Sequence, residues 1–562
     1  MASRPLLARV GRRLLSSTSN ALLAPHAGLV VPAPGAATSA PLLIEGGTLI
    51  DGTGANPVPN EGVLIVGDEI CAVGSVAVAE AAKLESEGGC PQRLPLQRID
   101  ARGRWVLPGL IDAHCHVSFL EPASNDELFF HRPSEGLTAI LAAHSVKKLL
   151  LSGCTGFLDA DVLYNVGADL RDSIEIGAVE GPRMSTGGNA LLTAVGGTAG
   201  RLIPEDGLRG YAQVVRTPDE IVQTVRRQIK HGVDWIKLHI TGLIPRQLAR
   251  GEIAVWSFEE IRLACETAHA LHTPVVAHVR NAASTRDAAR AGVDLLLHAT
   301  NMDDEALEAV IDAQVPIAPT LAFQANLAEY GAAAGASPEL VEIFRREIED
   351  SSISLRKAYD AGVPIMCGSE SGFTITPIGE WHGAGTADAL MAHFACSPHS
   401  WQQRSLTVHY AFPCCTIAFP ALNPRDCQSQ SACSFPRTWL PPHLAGREME
   451  VLVKHLGLTP LQAITCATKE GARSLRLDGR VGVISKGQLA DVIVVDQDPL
   501  QDIRVLNDRH RLTAVISKGQ SVNLEVPWPS RALYRGEKVV QWTGTPLTRE
   551  LAMSIDPGRP IR

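Results

Sequence analysis

Eight short apolar runs, each followed by a stretch of helical spacing, set the architecture this chain can adopt. The runs are Ile111–His116, Gly156–Ala160, Arg183–Gly187, Trp235–Thr241, Pro274–Arg280, Leu295–Ala299, Ile317–Leu321 and Pro364–Gly368. Between them, segments such as Thr217–His231 and Ser257–His272 repeat apolar residues at a 3.6-residue period. Several end in glycine just before the next run, as in HGVDWIKL, AGVDLLLH and AGVPIMCG. Strand and helix alternating eight times predict an α/β fold, a closed (β/α)8 TIM-like barrel, here over residues 108–478. In such barrels reactive side chains sit at the C-terminal ends of the strands.

Both ends of the chain have a different texture. PLLIEGGTLIDGTG, EGVLIVGDEICAVG and RWVL alternate in short β runs, and GVISKGQLADVIVVDQDPL and LTAVISKGQSV repeat the pattern far downstream. Neither set buries enough alone, so residues 42–107 and 479–545 are expected to pair as a small composite β-sandwich. Residues 383–446 break the rhythm: five cysteines, seven prolines, no lysine and only Asp388 and Asp426 as acids, without sustained periodicity. A lid, a Cys/His metal knuckle and sequence foreign to the mature product are the competing readings. No C-x-x-C pair is present, and GEWH joins well to REMEVLVKHLGLTP, which favours a translated intron.

Composition narrows the function. Apolar residues make up 45% and charged residues 20% of the 562, enough to bury a large core. A net charge of -9 without a Lys/Arg cluster in the body of the chain excludes a nucleic-acid partner, and no apolar stretch is long enough to span a membrane. The expected partners are a small-molecule substrate and, as an open option, a homo-oligomer. Seven of the twelve cysteines are scattered singly outside the 383–446 segment, as reduced thiols are. Residues 1–41 carry Arg4, Arg9, Arg12 and Arg13 with no acid before Glu45, and they read as a transit peptide to the mitochondrial matrix. A plastid address, or a disordered leader on a cytoplasmic protein, is the alternative.

The chemistry lies at the ends of the eight runs. His114 and His116 are two apart, so on a strand both imidazoles project from one face. Lys237, His278, His298 and Glu370 each close a later run. Imidazole and carboxylate suit Zn²⁺ and similar ions, though each histidine taken singly could be a satisfied core residue. A protonated lysine cannot ligate a cation. Reaction of Lys237 with CO2 would give a carbamate able to bridge two divalent metal ions; the alternative is a plain lysine paired with Glu370. His239, Arg280 and His382 are candidate substrate-binding residues, with packing or a rim salt bridge as the bland reading of the first two.

PGLIDAHCH, IKLHITG, AHVRN, LLHATNMDDEAL, GSESG and GVISKGQLADVIVVDQDPL together resemble the amidohydrolase superfamily, in its imidazolonepropionase-like and metal-dependent dipeptidase or prolidase-like branch. The resemblance runs from about residue 42 to 522. It implies that His114 and His116 hold a first metal, Lys237 bridges, and His278 and His298 hold a second. Glu370, where the family usually has Asp, would ligate the first metal and act as the catalytic base. The implied reaction is hydrolysis of a dipeptide-type or non-peptide amide or lactam C–N bond by a metal-bridging hydroxide. A catalytically silent scaffold and a metal-dependent deaminase are the alternatives, and Lys237 speaks against the second.

Overall fold

The structure is a computed structural model, and it describes residues 40–86, 94–122, 125–130, 132–198, 200–242, 252–332, 334–379 and 447–530. The transit-peptide reading, apart from residues 40 and 41, and the readings of His382 and of 383–446 therefore lie outside the described residues.

Five strands come first: β1 (Leu42–Leu49), β2 (Val58–Val66), β3 (Glu69–Val73), β4 (Gln97–Asp100) and β5 (Trp105–Pro108). The barrel begins at β6 (Leu110–Cys115) and continues with β7 (Cys154–Asp159) and β8 (Arg183–Thr186). β9 (Ala190–Leu192) and β10 (Ala212–Val214) lie against β11 (Ile236–His239), and β12 (Thr241–Gly242) and β13 (Ile253–Ala254) form a small hairpin beyond it. Three more strands follow, β14 (Val275–Val279), β15 (Leu295–His298) and β16 (Ile317–Ala318). β11, β14, β15 and β16 pair in parallel, as do β6, β7 and β8.

Residues 364–371 supply the eighth position. Met366 N–H bonds to the Ile317 carbonyl on one side; on the other, Ala113 N–H reaches Cys367 and His116 N–H reaches Ser371. Trp235 N–H bonds to the Thr186 carbonyl and links β8 to β11. All eight predicted runs thus occupy barrel positions. β6, β7, β11, β14 and β15 are buried along their whole length, as expected for parallel strands covered on both faces. Inside, Leu158, Trp235, Val276, Leu295, Leu297, Ala318 and Met366 form one apolar cluster. The helices cover the outside; Pro218–Lys230 and Phe258–His269 start at Thr217 and Ser257, whose hydroxyls accept the N–H of Glu220 and Glu260.

The two chain ends meet in one eight-stranded sheet. β17 (Val492–Val495), β18 (Leu512–Ser517) and β19 (Gln520–Ser521) continue it in the order β19-β18-β17-β5-β1-β2-β3, with β4 beside β1. Ile70 N–H bonds to the Gln488 carbonyl, and Gly487 N–H to that of Ile70, so the far edge returns to the segment leading into β17. One face buries Ile44, Val63, Ile65, Val106, Val492 and Val494 together. Leu43, Leu64 and Ala72 point the other way, against Ala77 and Ala81 of the helix Ser75–Ser86. Five of the six described cysteines are buried, and all six are free thiols. No described helix is long and apolar enough to cross a membrane.

Candidate metal centre

Strand phase decides what reaches the barrel mouth. On β11, Lys237 and His239 follow Trp235 at two-residue steps and so share its inward face; His278 follows Val276 on β14, and Thr320 follows Ala318 beyond β16. β15 is out of step, because its interior residues are Leu295 and Leu297. A left-handed backbone at His298 (φ 69°) and Ala299 (φ 48°) re-aims the chain there and sets the His298 ring 4.4 Å from that of His278. Thr320 (φ 53°) and Glu370 (φ 56°) share this conformation. Three strand ends in a disfavoured region, each costing on the order of 1–2 kcal/mol, mark a site that the surrounding packing holds in place. Gly372, at φ 127°, lets the eighth strand pass His116: a Cβ there would lie 2.4 Å from the His116 carbonyl oxygen.

The carboxylate of Glu370 is the hub. His114 Nε2 lies 3.0 Å from Oε2, His116 Nε2 lies 3.5 Å from Oε1, and His298 Nδ1 lies 3.9 Å from Oε2. The His114 and His116 rings are 4.6 Å apart, and those of His114 and His298 5.7 Å. Burial alone would raise the Glu370 pKa, but the charges of His114 and His298 and the contacts of His114 and His116 hold it well below the usual carboxylate range. Burial drives His114 down to about 4 and His298 well below its ordinary value. Against the same burial, Glu370 raises His116. Lys237 is 1% exposed, and among the described residues no carboxylate lies within ion-pairing distance of its ammonium. Burial lowers its pKa to about 8, against the pull of Asp161 and Glu370.

A ring of acceptors that sequence reasoning missed surrounds these groups. Asp161 Oδ2 lies 2.9 Å from His239 Nε2, and the Asp161 carbonyl is 3.4 Å from His116 Nδ1. Asp159, whose pKa burial raises to about 7, stands 3.9 Å from His116 Nδ1. Glu252 accepts from His278 Nε2 at 2.7 Å and from the Thr241 hydroxyl at 2.6 Å. Burial works against it, but His278 keeps its pKa at about 2. The Thr320 hydroxyl is 2.5 Å from His298 Nδ1. The D-x-D of FLDADV was a visible signal, with the same two-residue spacing at a strand end as H-x-H. Glu252, Thr320 and the helix residue Glu347 carried no such signal.

Arg280 reaches the cavity, but its guanidinium is already engaged. Nη2 meets both Glu347 oxygens at 2.6 Å, Nε lies 3.5 Å from Glu252, and the Phe344 ring centroid is 5.7 Å away. The rim salt bridge is thus present, on a side chain that also lines the cavity. His239 is likewise engaged, by Asp161.

The cavity above these groups holds about 410 Å³. One wall is an aromatic arc in which Tyr211, Phe119, Phe373, Phe323 and Phe344 succeed one another at 6.4, 5.6, 5.6 and 5.9 Å between ring centroids. Phe119 stacks on His116 at 4.2 Å. Asp161, Glu252, Arg280, Asn301 and Glu347 also line the cavity.

The donor set suits a divalent cation. Ligand atoms of His114, His116 and Glu370 lie within 4.8 Å of one another. His298 Nε2, His114 Nδ1 and Asp161 Oδ1 are buried with no hydrogen-bond partner among the described residues. Imidazole and carboxylate on two-residue spacing at a strand end, backed by outer carboxylates, are what zinc-type ions require.

The amidohydrolase family matches residues 105–418 and 442–522. Ochratoxinase of Aspergillus niger is 24% identical over 526 residues, which is 89% of this chain and 88% of that enzyme. A protein of Mycobacterium tuberculosis is 28% identical over 305 residues, 54% of this chain and 74% of its own length. Among solved structures, a Xaa-Pro dipeptidase with methionine in its active site covers 86% of this chain and 99% of its own, with a TM-score of 0.63 at 25% identity.

Proposed function

Because the chain belongs to the amidohydrolase family, and is thus a hydrolase of carbon–nitrogen bonds, we propose that it cleaves the amide bond of a small molecule bearing a bulky apolar or aromatic arm. Two divalent cations, zinc being the favoured ion, would be held by His114, His116 and Glu370 on one side and by His278 and His298 on the other. Lys237 would join them as a carbamate. The observation that carries this reading is the convergence of five buried or nearly buried side chains from four barrel positions around a lysine that has no ion-pair partner among the described residues.

Bound cations of this kind acidify water to a pKa near ~7 and polarise a carbonyl. The chain's own residues do the rest. The ionised Glu370 carboxylate takes a proton from the attacking water as the carbon–oxygen bond forms, then delivers it to the nitrogen as the carbon–nitrogen bond breaks, leaving a carboxylic acid and an amine. Buried Lys237, as the free amine, adds to CO2 and releases one proton, which leaves an anion where an ammonium would repel cations. Asp161 and Glu252 hold His239 and His278 through their Nε2 atoms. The arc from Tyr211 to Phe344 packs the apolar arm and excludes water from the scissile bond.

The test is zinc-reconstituted protein against matched amides that differ only in the acyl group, acetyl against naphthoyl. Amine release, faster for the larger acyl group, is expected. No amine from any amide by fully metal-loaded protein would refute the reading, whereas equal rates for both would remove the aromatic arm alone.

Two further proposals concern the segments outside the barrel. The family match is continuous to residue 418 and breaks only from there to 442, so the proposal that 383–446 is foreign to the working enzyme rests on its composition and on the join of GEWH to REMEVLVKHLGLTP. Peptides from within it, found by mass spectrometry of the native protein, would contradict that. The arginine-rich, acid-free leader supports delivery to the mitochondrial matrix, which a reporter fused to residues 1–41 tests by its location in the cell.

A further inference from the structure

The helix Leu321–Tyr330 starts two residues after β16, and its N-cap residue is Thr320. A threonine there ordinarily turns its hydroxyl back to accept the second or third N–H of the helix. This one makes no such bond, because its backbone is left-handed and its Oγ1 lies 2.5 Å from His298 Nδ1. The first N–H groups are satisfied by another helix instead: the Glu448 carboxylate accepts Leu321 N–H at 3.0 Å and Ala322 N–H at 2.6 Å.

The neighbouring residue grips the other end. Arg447, with its side chain fully buried, pairs with Glu329, lies 3.3 Å from the Tyr330 hydroxyl and sits 5.1 Å from the centre of the Tyr330 ring. The helix carries no acid in its first turn and no base in its last. Glu448 therefore caps the N-terminal end from outside by its two accepted hydrogen bonds, and Arg447 complements the negative end of the dipole.

We propose that Glu448 is a positioning residue for the metal centre: it caps the helix in place of Thr320 and so frees the Thr320 hydroxyl to fix the ring of His298. With Nδ1–H donating to Oγ1, His298 presents the Nε2 lone pair, and that atom is buried without a hydrogen-bond partner among the described residues. The inference rests on the reading of His298 as a ligand and assigns a role to a residue that touches neither metal nor substrate.

The test uses the full chain, with zinc affinity measured by competition with a chromophoric chelator and ring ¹⁵N shifts recorded on ¹⁵N-histidine-labelled, metal-free protein. H298N identifies the His298 signals. E448Q and T320V should each weaken zinc binding ~10–100-fold, T320S should retain it, and the double variant E448Q/T320V should be no weaker than the worse single one. His298 should show a single Nδ1–H tautomer in the wild type and a mixture in E448Q. R447M should lower the unfolding midpoint with zinc affinity within twofold of wild type.

Folded E448Q with wild-type affinity and tautomer would overturn the proposal. So would losses that multiply in the double variant, or an R447M loss equal to that of E448Q, since either makes the clamp a general support. Should E448Q fail to fold, T320V decides alone, and wild-type affinity in T320V overturns the proposal. A wild-type chain that binds no zinc refutes the underlying metal reading and this role with it.

Discussion

Removing the charge of Glu252 should loosen the second half of the metal centre without disturbing the first. The carboxylate, 10% exposed, stands just before β13, 2.7 Å from His278 Nε2 and 2.6 Å from the Thr241 hydroxyl, with a pKa of about 2 that keeps it ionised at any working pH. It therefore accepts a hydrogen bond from Nε2–H and leaves Nδ1 of His278 as the ring atom with a lone pair. A hydrogen bond to a charged acceptor contributes about 1.5–3 kcal/mol, against about 1 kcal/mol for a neutral pair. E252Q should then lose about 1–1.5 kcal/mol, roughly tenfold in affinity for the more weakly held ion. E252A leaves two buried donors unpaired and should lose about 100-fold, at the upper end of what outer carboxylates contribute to metal binding. Zinc competition titrations that resolve the two ions, with circular dichroism to confirm folding, give both numbers. If folded E252Q and E252A bind both ions within twofold of wild type, Glu252 is only a partner for Arg280, and His278 is not held as a ligand.

Other outcomes follow from the same geometry. E370Q keeps the shape of the hub but cannot accept a proton, so turnover should drop by at least ~10³-fold while at least one ion remains bound; retained turnover would remove Glu370 as the base. Burial holds His114 and His239 at about 4 in the fold and His298 well below its ordinary value, whereas unfolded histidine titrates at ~6.5. Below that value the unfolded chain takes up protons that the folded chain refuses. Each of these rings should therefore cost the metal-free protein up to ~1.4 kcal/mol per pH unit as pH falls from 6.5 through 4, while His116, Asp159 and Glu448, whose pKa values the fold raises, oppose that loss. As pH falls through this window the urea midpoint of H239N should rise relative to that of wild type, and parallel profiles for the two proteins would contradict the burial argument. Gly372→Ala places a Cβ against His116 at a φ that alanine does not adopt. It should cost about 2–4 kcal/mol and misplace His116, and a melting temperature matching wild type would show that the loop yields.

Much of this was legible in sequence because two-residue and 3.6-residue periods are local. The eight runs mapped onto eight barrel positions, and the two-residue steps His114/His116, Lys237/His239 and His278/Arg280 placed each pair on one face. The pairing of the chain ends was also readable, since β5 and β17 are each too apolar to stand alone. His298 shows where periodicity stops: it is one residue out of phase on β15, and only a left-handed backbone, invisible in the letters, brings it to the site. Arg280 shows another limit, because its partner Glu347 lies on a distant helix that no local spacing connects to it. Glu252 and Glu448 are outer acceptors from a two-residue strand hairpin and a late helix. No spacing rule marks such residues, since what matters is proximity in three dimensions.

The most direct test of the central claim is the metal content of the native protein, measured by inductively coupled plasma mass spectrometry on gel-filtered wild type and on K237A. The arrangement predicts two divalent ions per wild-type chain and one or fewer in K237A. Wild-type protein that is folded, fully zinc-exposed and still metal-free would contradict it.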